Sequence, residues 1–308
     1  MINLIDGKEF LLFKSGFIGI IGRPNVGKST LLNRVIGEKI AITTPKPQTT
    51  RNRIMGIKNL DDGQLIFVDT PGLHKASSPL NQYMVTAAMD TFRSADILLL
   101  IAEAPAGLHH GDRMIMNSLE KIRLPVILAI NKIDKVQKTE VLPVIDAFQQ
   151  LFSFVDIIPI SALTGDGVTI LIEQIQKLLP EGPCYFPEDM MTDSTERFIA
   201  AEIIREKITL LTHQEIPYET AVVVDLFKEI EEKNLIRIQA TINVAKDSQK
   251  GILIGKKASM LKEIGKRSRL DMEKFFAARV YLELFVRVKK DWLHDPKMLR
   301  EFGYTEKN

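Results

Sequence analysis

Gly22-Arg23-Pro24-Asn25-Val26-Gly27-Lys28-Ser29 fits the spacing G-x-x-x-x-G-K-[ST]. It stands between an apolar run, Phe17-Ile18-Gly19-Ile20-Ile21, and a segment of helical periodicity, Ser29 to Ile36. In that setting the glycines permit a tight turn whose backbone N–H groups converge on an anion at a helix N-terminus. The spacing predicts a phosphate cradle formed by Gly22 to Thr30. Lys28 would reach the outer phosphates, and the Ser29 hydroxyl would be a ligand for Mg²⁺.

Similar apolar runs follow at Gln64 to Val68, Ile97 to Ala102, Pro125 to Ile130 and Asp156 to Ile160, alternating with helical patterns. Runs this uniformly apolar suit strands covered on both faces. Residues 1–178 therefore read as an α/β domain with a doubly wound, mostly parallel sheet. Such sheets bind ligands beyond the carboxyl ends of their strands, and three further motifs fall there. In Asp69-Thr70-Pro71-Gly72 the carboxylate can hold Mg²⁺, and the N–H of Gly72 can sense a terminal phosphate. In Asn131-Lys132-Ile133-Asp134 the carboxylate can accept paired hydrogen bonds from N1–H and the 2-amino group of guanine. Adenine lacks both donors, and leaving the carboxylate unpaired costs about 1–3 kcal/mol or more. Ser161-Ala162-Leu163 would pack over the same base. The expected nucleotide is GTP.

The 308 residues are 45% hydrophobic and 26% charged, which excludes a disordered or fibrous chain. No apolar stretch approaches the roughly 20 residues that span a bilayer. No secretory signal is visible, and the single cysteine, Cys184, excludes an internal disulfide. A reducing, cytoplasmic compartment is expected. The α/β pattern breaks at residues 179–194, where Pro180, Gly182, Pro183 and Pro187 predict a linker. Residues 195–308 then read as an α+β domain. The pattern predicts an amphipathic helix from Thr195 to Thr212, strands at 220–224, 235–244 and 280–288, and separate helices at about 258–264 and 269–278. The alternation in the second strand predicts an antiparallel sheet with one wet face. From Lys246 to Arg269 eight lysines and arginines stand against only Asp247 and Glu263, a cluster suited to a polyanion.

The four nucleotide motifs, in this order, resemble those of the translation-factor-like GTPases over roughly residues 14–178, implying a P-loop GTPase fold. Thr43-Thr44-Pro45-Lys46-Pro47-Gln48-Thr49-Thr50-Arg51 is similar to that family's first switch, which presents a threonine to Mg²⁺ and the γ-phosphate. Thr50, directly before the arginine, is the expected metal ligand beside Ser29 and Asp69, with Thr49 the open alternative. Without a triphosphate such a loop is expected to be mobile. The resemblance also implies that Asn25 helps to hold a potassium ion beside the phosphates; stabilising the loop is its other possible role. Where many regulatory GTPases carry a water-orienting glutamine, this chain has Leu73, followed by His74. Slow intrinsic hydrolysis is therefore expected, with Lys28, Thr50 and Asn25 as the catalytic set.

Ile252-Leu253-Ile254-Gly255-Lys256-Lys257-Ala258 resembles the I-G-x-x-G loop of KH domains, which clamps about four nucleotides of single-stranded nucleic acid. Ala258 replaces the second glycine. Lys250, Ile254, Gly255, Lys256, Lys257, Ala258, Lys262, Lys266 and Arg267 form the expected RNA-binding set. A GTPase domain, a proline-containing linker and a type II KH domain, in this order, are similar to the bacterial Era family. That resemblance implies a GTP-driven switch that binds the 3′ end of small-subunit ribosomal RNA and assists assembly of the small ribosomal subunit. It further implies a monomer, loosely associated with the cytoplasmic membrane face. The alternative is a constitutive single-stranded RNA-binding protein in which GTP is mainly structural. His109, His110 and Asp112 are expected at the surface rather than on a metal. Met190, Met191 and Trp292 are expected in packing.

Overall fold

The computed structural model describes residues 4–5, 8–9, 13–72, 79–120 and 122–304; Leu73 and His74 lie outside them. The chain divides into two compact units. The first holds residues 4–5, 8–9, 13–37, 53–72, 87–120 and 122–193. Apart from a small antiparallel pair, Leu4–Ile5 with Lys8–Glu9, its strands are β1 (Lys14–Gly22), β2 (Ile54–Leu60), β3 (Gly63–Asp69), β4 (Ile97–Glu103), β5 (Val126–Asn131) and β6 (Asp156–Pro159). They form one sheet in the order β2-β3-β1-β4-β5-β6. Every pairing is parallel except β2 with β3. The expected sheet is present, with an antiparallel edge strand added. Leu98, Leu99, Leu100, Ile127 and Leu128 are fully buried, as strands sandwiched between helices require. Parallel strands deliver their carboxyl ends to one edge, so the segments after β1, β3, β5 and β6 emerge together.

Of residues 179–194, read as a linker, those up to Asp193 pack against this unit. Buried Gln64 is the clamp. Its Oε1 accepts from the N–H groups of Tyr185 (2.9 Å) and Phe186 (3.0 Å), and its Nε2 donates to the Phe186 carbonyl at 2.8 Å. The prolines cost donors but leave carbonyls. Those of Pro180 and Pro183 accept from the Ser15 N–H and hydroxyl at 3.2 and 2.7 Å. Met190 packs with Phe17 and Phe186 over Met55, Ile57 and Ile66.

The second unit holds residues 38–52, 79–86 and 194–304. Its sheet, in the order β9-β8-β7, comprises β7 (Thr220–Ile230), β8 (Leu235–Val244) and β9 (Arg279–Val288). β8 pairs antiparallel with β7 but parallel with β9, which corrects the all-antiparallel expectation. The long connection from β8 to β9 makes a parallel crossover. It contains α7 (Asp247–Ile254) and α8 (Ser259–Phe276). α8 is one continuous helix where two were expected. The charged run around Arg267 and Arg269 is its solvated side, and fully buried Ser268 faces inward. Trp292 is also fully buried; its Nε1 donates to the Glu219 carbonyl at 3.1 Å, and Leu80, Met84, Leu299, Phe302 and Tyr304 surround it.

α6 (Glu196–Leu211) begins at Thr195, whose hydroxyl accepts from Phe198 N–H at 3.3 Å. Its apolar residues, Ile203, Ile204 and Ile208 among them, enter the core, but its polar side is buried as well. Glu202, Arg205, Glu206 and Lys207 are buried, so the polar side of the expected amphipathic helix is covered rather than solvated. Arg205 donates to both Glu202 carboxylate oxygens, at 2.7 and 2.6 Å, and to the Thr49 carbonyl. Glu206 accepts from the Thr43 N–H at 3.1 Å and from Lys39 at 2.6 Å. Arg51 is itself buried, donating to the carbonyls of Thr220 (2.7 Å), Pro217 (2.8 Å) and Tyr218 (2.8 Å). The segment expected to be mobile is therefore held by charge-assisted hydrogen bonds. Glu202→Ala leaves the Arg205 charge buried without its carboxylate. It should destabilise this unit by about 3–5 kcal/mol, read as a lowered urea midpoint for its unfolding transition.

Candidate nucleotide and nucleic-acid sites

The loop from Gly22 to Ser29 joins β1 to α1 (Lys28–Ile36). Gly27 has φ 104°, and a Cβ there would collide with the Asn131 side chain. Lys28 is buried, and its ammonium donates to the carbonyls of Gly22 (3.1 Å) and Arg23 (3.0 Å). It thus lies folded against the loop that would surround a phosphate. Burial lowers its pKa to about 8, partly countered by Asp69 and reinforced by Arg23. Asn25, exposed and left-handed at φ 65°, leaves its carbonyl to accept from Lys132 Nζ at 2.8 Å.

Ser29 Oγ donates to Asp69 Oδ2 at 2.6 Å, so the structure brings two of the three expected metal ligands together. A hydroxyl and a carboxylate are hard oxygen donors, the set Mg²⁺ takes alongside substrate phosphates. Thr50, the third expected ligand, belongs to the other unit, where it is buried. Thr49 Oγ1 donates to the Lys46 carbonyl at 2.7 Å. After Asp69, Thr70 Oγ1 donates to the Ile20 carbonyl at 2.9 Å. Gly72 lies so near Pro24 that a Cβ would stand 2.9 Å from its nitrogen.

Asn131 is the junction of the site. Its Nδ2 donates to the Val26 carbonyl at 2.8 Å, and its Oδ1 accepts from the Ala162 N–H at 2.9 Å. One carboxamide thus ties the phosphate loop, the end of β5 and the Ser161-Ala162-Leu163 segment. Asp134, exposed beyond Ile133, accepts from Ser161 Oγ at 2.6 Å. Leu163, two residues after Ser161, is 64% exposed.

Two supporting residues, Arg34 and Glu103, escaped the motif reading, and the partner of Arg23 did too. Arg34 donates to the carbonyls of Ala162 (3.2 Å) and Leu163. Glu103 pairs with Lys132. Arg23 Nε donates to buried Asp112 at 2.9 Å. Asp112 also caps α3 (His110–Leu119) by accepting from the His109 N–H at 3.1 Å. His109 and His110 are exposed, and among the described residues no cluster of three His, Cys, Asp or Glu could hold a metal. Asp112, expected at the surface, is instead fully buried because it caps α3 and takes the Arg23 guanidinium; the partners of Arg23 and Arg34 come from distant segments.

In the second unit Gly255 to Ala258 form the turn between α7 and α8. Lys256 and Lys257 are exposed, and Gly255, Lys257 and Ala258 have φ of 72°, 53° and 60°. The turn meets the N-terminus of α8, a favourable place for phosphate. Lys262, Lys266 and Arg267 are exposed further along that helix. Lys250 and Ile254 are half-buried on α7.

A model of 50S ribosome-binding GTPases matches residues 17–132, and a model of KH domains matches residues 215–293. GTPase Era of Syntrophus aciditrophicus is 66% identical over 296 residues, covering 96% of this chain and 97% of its own. Two solved structures superpose with a TM-score of 0.92 at 42% identity, over 96% of this chain and all of theirs. One is an Era variant from Aquifex aeolicus bound to GDP.AlF4-. The other is Era in complex with MgGDPNP and nucleotides 1506–1542 of 16S ribosomal RNA.

Two measurements follow from this geometry. A triphosphate favours the charged form of Lys28 and should raise its pKa from about 8. GTP binding should then take up a proton at alkaline pH, approaching one at about pH 9 and none at about pH 6.5. Calorimetry in buffers of different ionisation enthalpy reads this. Ala258 sits in left-handed backbone, which glycine tolerates better than alanine. Ala258→Gly should raise the stability of the second unit by about 1 kcal/mol, seen as a higher denaturation midpoint.

Proposed function

The chain belongs to the Era family of GTPases, and we propose that it is a GTP switch that binds the 3′ end of small-subunit ribosomal RNA and assists small-subunit assembly. The observation that carries the nucleotide half is the Asn131 junction. One side chain holds the phosphate loop and the base-facing loops in register, so that a guanine nucleotide meets both at once. Backbone N–H groups from Gly22 to Ser29 and the ammonium of Lys28 receive the phosphates. Asp134 reads guanine, oriented by Ser161. Ser29, Asp69 and Thr50 would hold Mg²⁺, which when bound neutralises phosphate charge. In this reading Thr50 supplies the ligand from the segment 38–52, which serves as the first switch. Asn25 holds potassium beside the phosphates in this reading, and its exposure supports that.

The RNA half rests on the exposed lysines of the Gly255-to-Ala258 turn and on the relative solved with ribosomal RNA. Membrane contact enters only as peripheral association: among the described residues no helix is long and apolar enough to cross a membrane.

The test is GTP hydrolysis with and without single-stranded RNA from the 3′ end of the small-subunit ribosomal RNA, in potassium and in sodium. RNA should stimulate turnover, potassium should exceed sodium, and Asn25→Ala should erase that preference. Equal RNA affinity with GDP and with a non-hydrolysable GTP analogue would sink the switch and leave GTP a structural role.

A further inference from the structure

The sheet of the second unit has two faces. Along β9, Val280, Leu282, Leu284, Val286 and Val288 pack into the core with α6, α7 and α8. The alternate residues, Arg279, Tyr281, Glu283, Phe285 and Arg287, therefore point to the opposite face. Their partners on β8 include Arg237 beside Tyr281 and Thr241 beside Phe285. One end of this face is covered where Ala221 and Val223 meet the Trp292 cluster. Elsewhere it is open: Tyr281 is 52% exposed and Phe285 54%.

Two large rings left in water on one flat face have no account in core packing, and a rimmed apolar patch of this kind marks a binding surface. They stand about 13 Å apart along the strand. Between them Glu283 accepts from Gln239 at 2.7 Å and from Arg237 at 3.1 Å, so its charge is offset. The Arg237 guanidinium lies 5.7 Å from the Tyr281 ring centre. Arg279, Arg287 and Lys228 add exposed positive charge, against Asp225, which accepts from Thr241 at 2.6 Å. A cavity of about 540 Å³ beside Phe285 is lined by Asp225, Thr241, Arg287 and Lys250. Lys250 comes from α7, so the cavity joins this face to the basic side of the domain.

We infer that this open face is a second single-stranded RNA surface, on which bases stack against Tyr281 and Phe285 while the flanking arginines meet the phosphates. Aromatic residues at outward positions of a sheet, bordered by cations, are what unpaired bases need, because every base offers a π-face. The surplus of arginines favours a polyanion over a protein partner. The inference rests on the RNA-binding reading of this unit and adds the sheet face opposite the one that packs against α6, α7 and α8.

The test uses the full chain and two RNAs from the 3′ end of small-subunit ribosomal RNA. One is about 6 nucleotides long, enough for the four-nucleotide clamp of the turn, and the other about 20. Tyr281→Ala with Phe285→Ala should weaken the long RNA about 10-fold or more and leave the short one unchanged. Tyr281→Phe with Phe285→Tyr should restore the affinity. Emission from Tyr281→Trp should be quenched by the long RNA alone, with buried Trp292 as the reference. Unchanged binding of the long RNA, or equal loss for both, overturns the second surface while the turn keeps its role. Altered sedimentation without altered RNA affinity would assign the rings to a protein contact and likewise overturn it. Failure of both RNAs to bind the unaltered chain would remove the RNA reading of the whole unit.

Discussion

The carboxamide of Asn131 is the interaction on which the nucleotide site depends. A single planar group donates to Val26 and accepts from Ala162, joining loops more than a hundred residues apart in sequence. It can do so because Gly27 has no Cβ where the amide sits. The parallel sheet supplies the remaining condition, since it brings the ends of β1, β5 and β6 to one edge. Arg23, Arg34 and Lys132 then brace the loops from outside. A buried lysine carried among backbone carbonyls, with its pKa lowered by desolvation, is charge held ready for an anion.

In the second unit the organising interaction is the buried pair of Glu202 and Arg205, one turn apart on α6. Two buried charges are tolerated because Arg205 donates to both Glu202 oxygens, and a further bond from Arg205 reaches the Thr49 carbonyl in residues 38–52. Arg51 makes the same bargain at the other end of the segment, where backbone carbonyls take its donors. Such contacts are directional and hold the segment in one arrangement, which must be exchanged as a set. That is the behaviour a switch requires.

Much of the architecture was legible from the chain. Uniformly apolar runs marked the central strands, and G-x-x-x-x-G-K-S marked the turn between β1 and α1. The motifs after β3, β5 and β6 marked segments that emerge at the same edge of the sheet as that turn. The expected break in α8 failed because the charges around Arg267 and Arg269 lie on one side of a continuous helix. Residues 179–194 read as a linker from their prolines, which forbid helix but not docking, and the side chain of Gln64 provides the docking partner that the sequence does not announce.

The sequence by itself determined the order of the domains, the identity of the nucleotide loops and the basic turn of the second unit. These are local properties, set by a few neighbouring residues and the periodicity around them. Tertiary structure alone decided that residues 38–52 lie on α6, that β8 has a parallel neighbour, and that Tyr281 and Phe285 stay in water. Those outcomes depend on which distant segments meet. A buried charge such as Arg51 reveals its purpose only when the carbonyls that satisfy it, 166 to 169 residues away, have folded into reach.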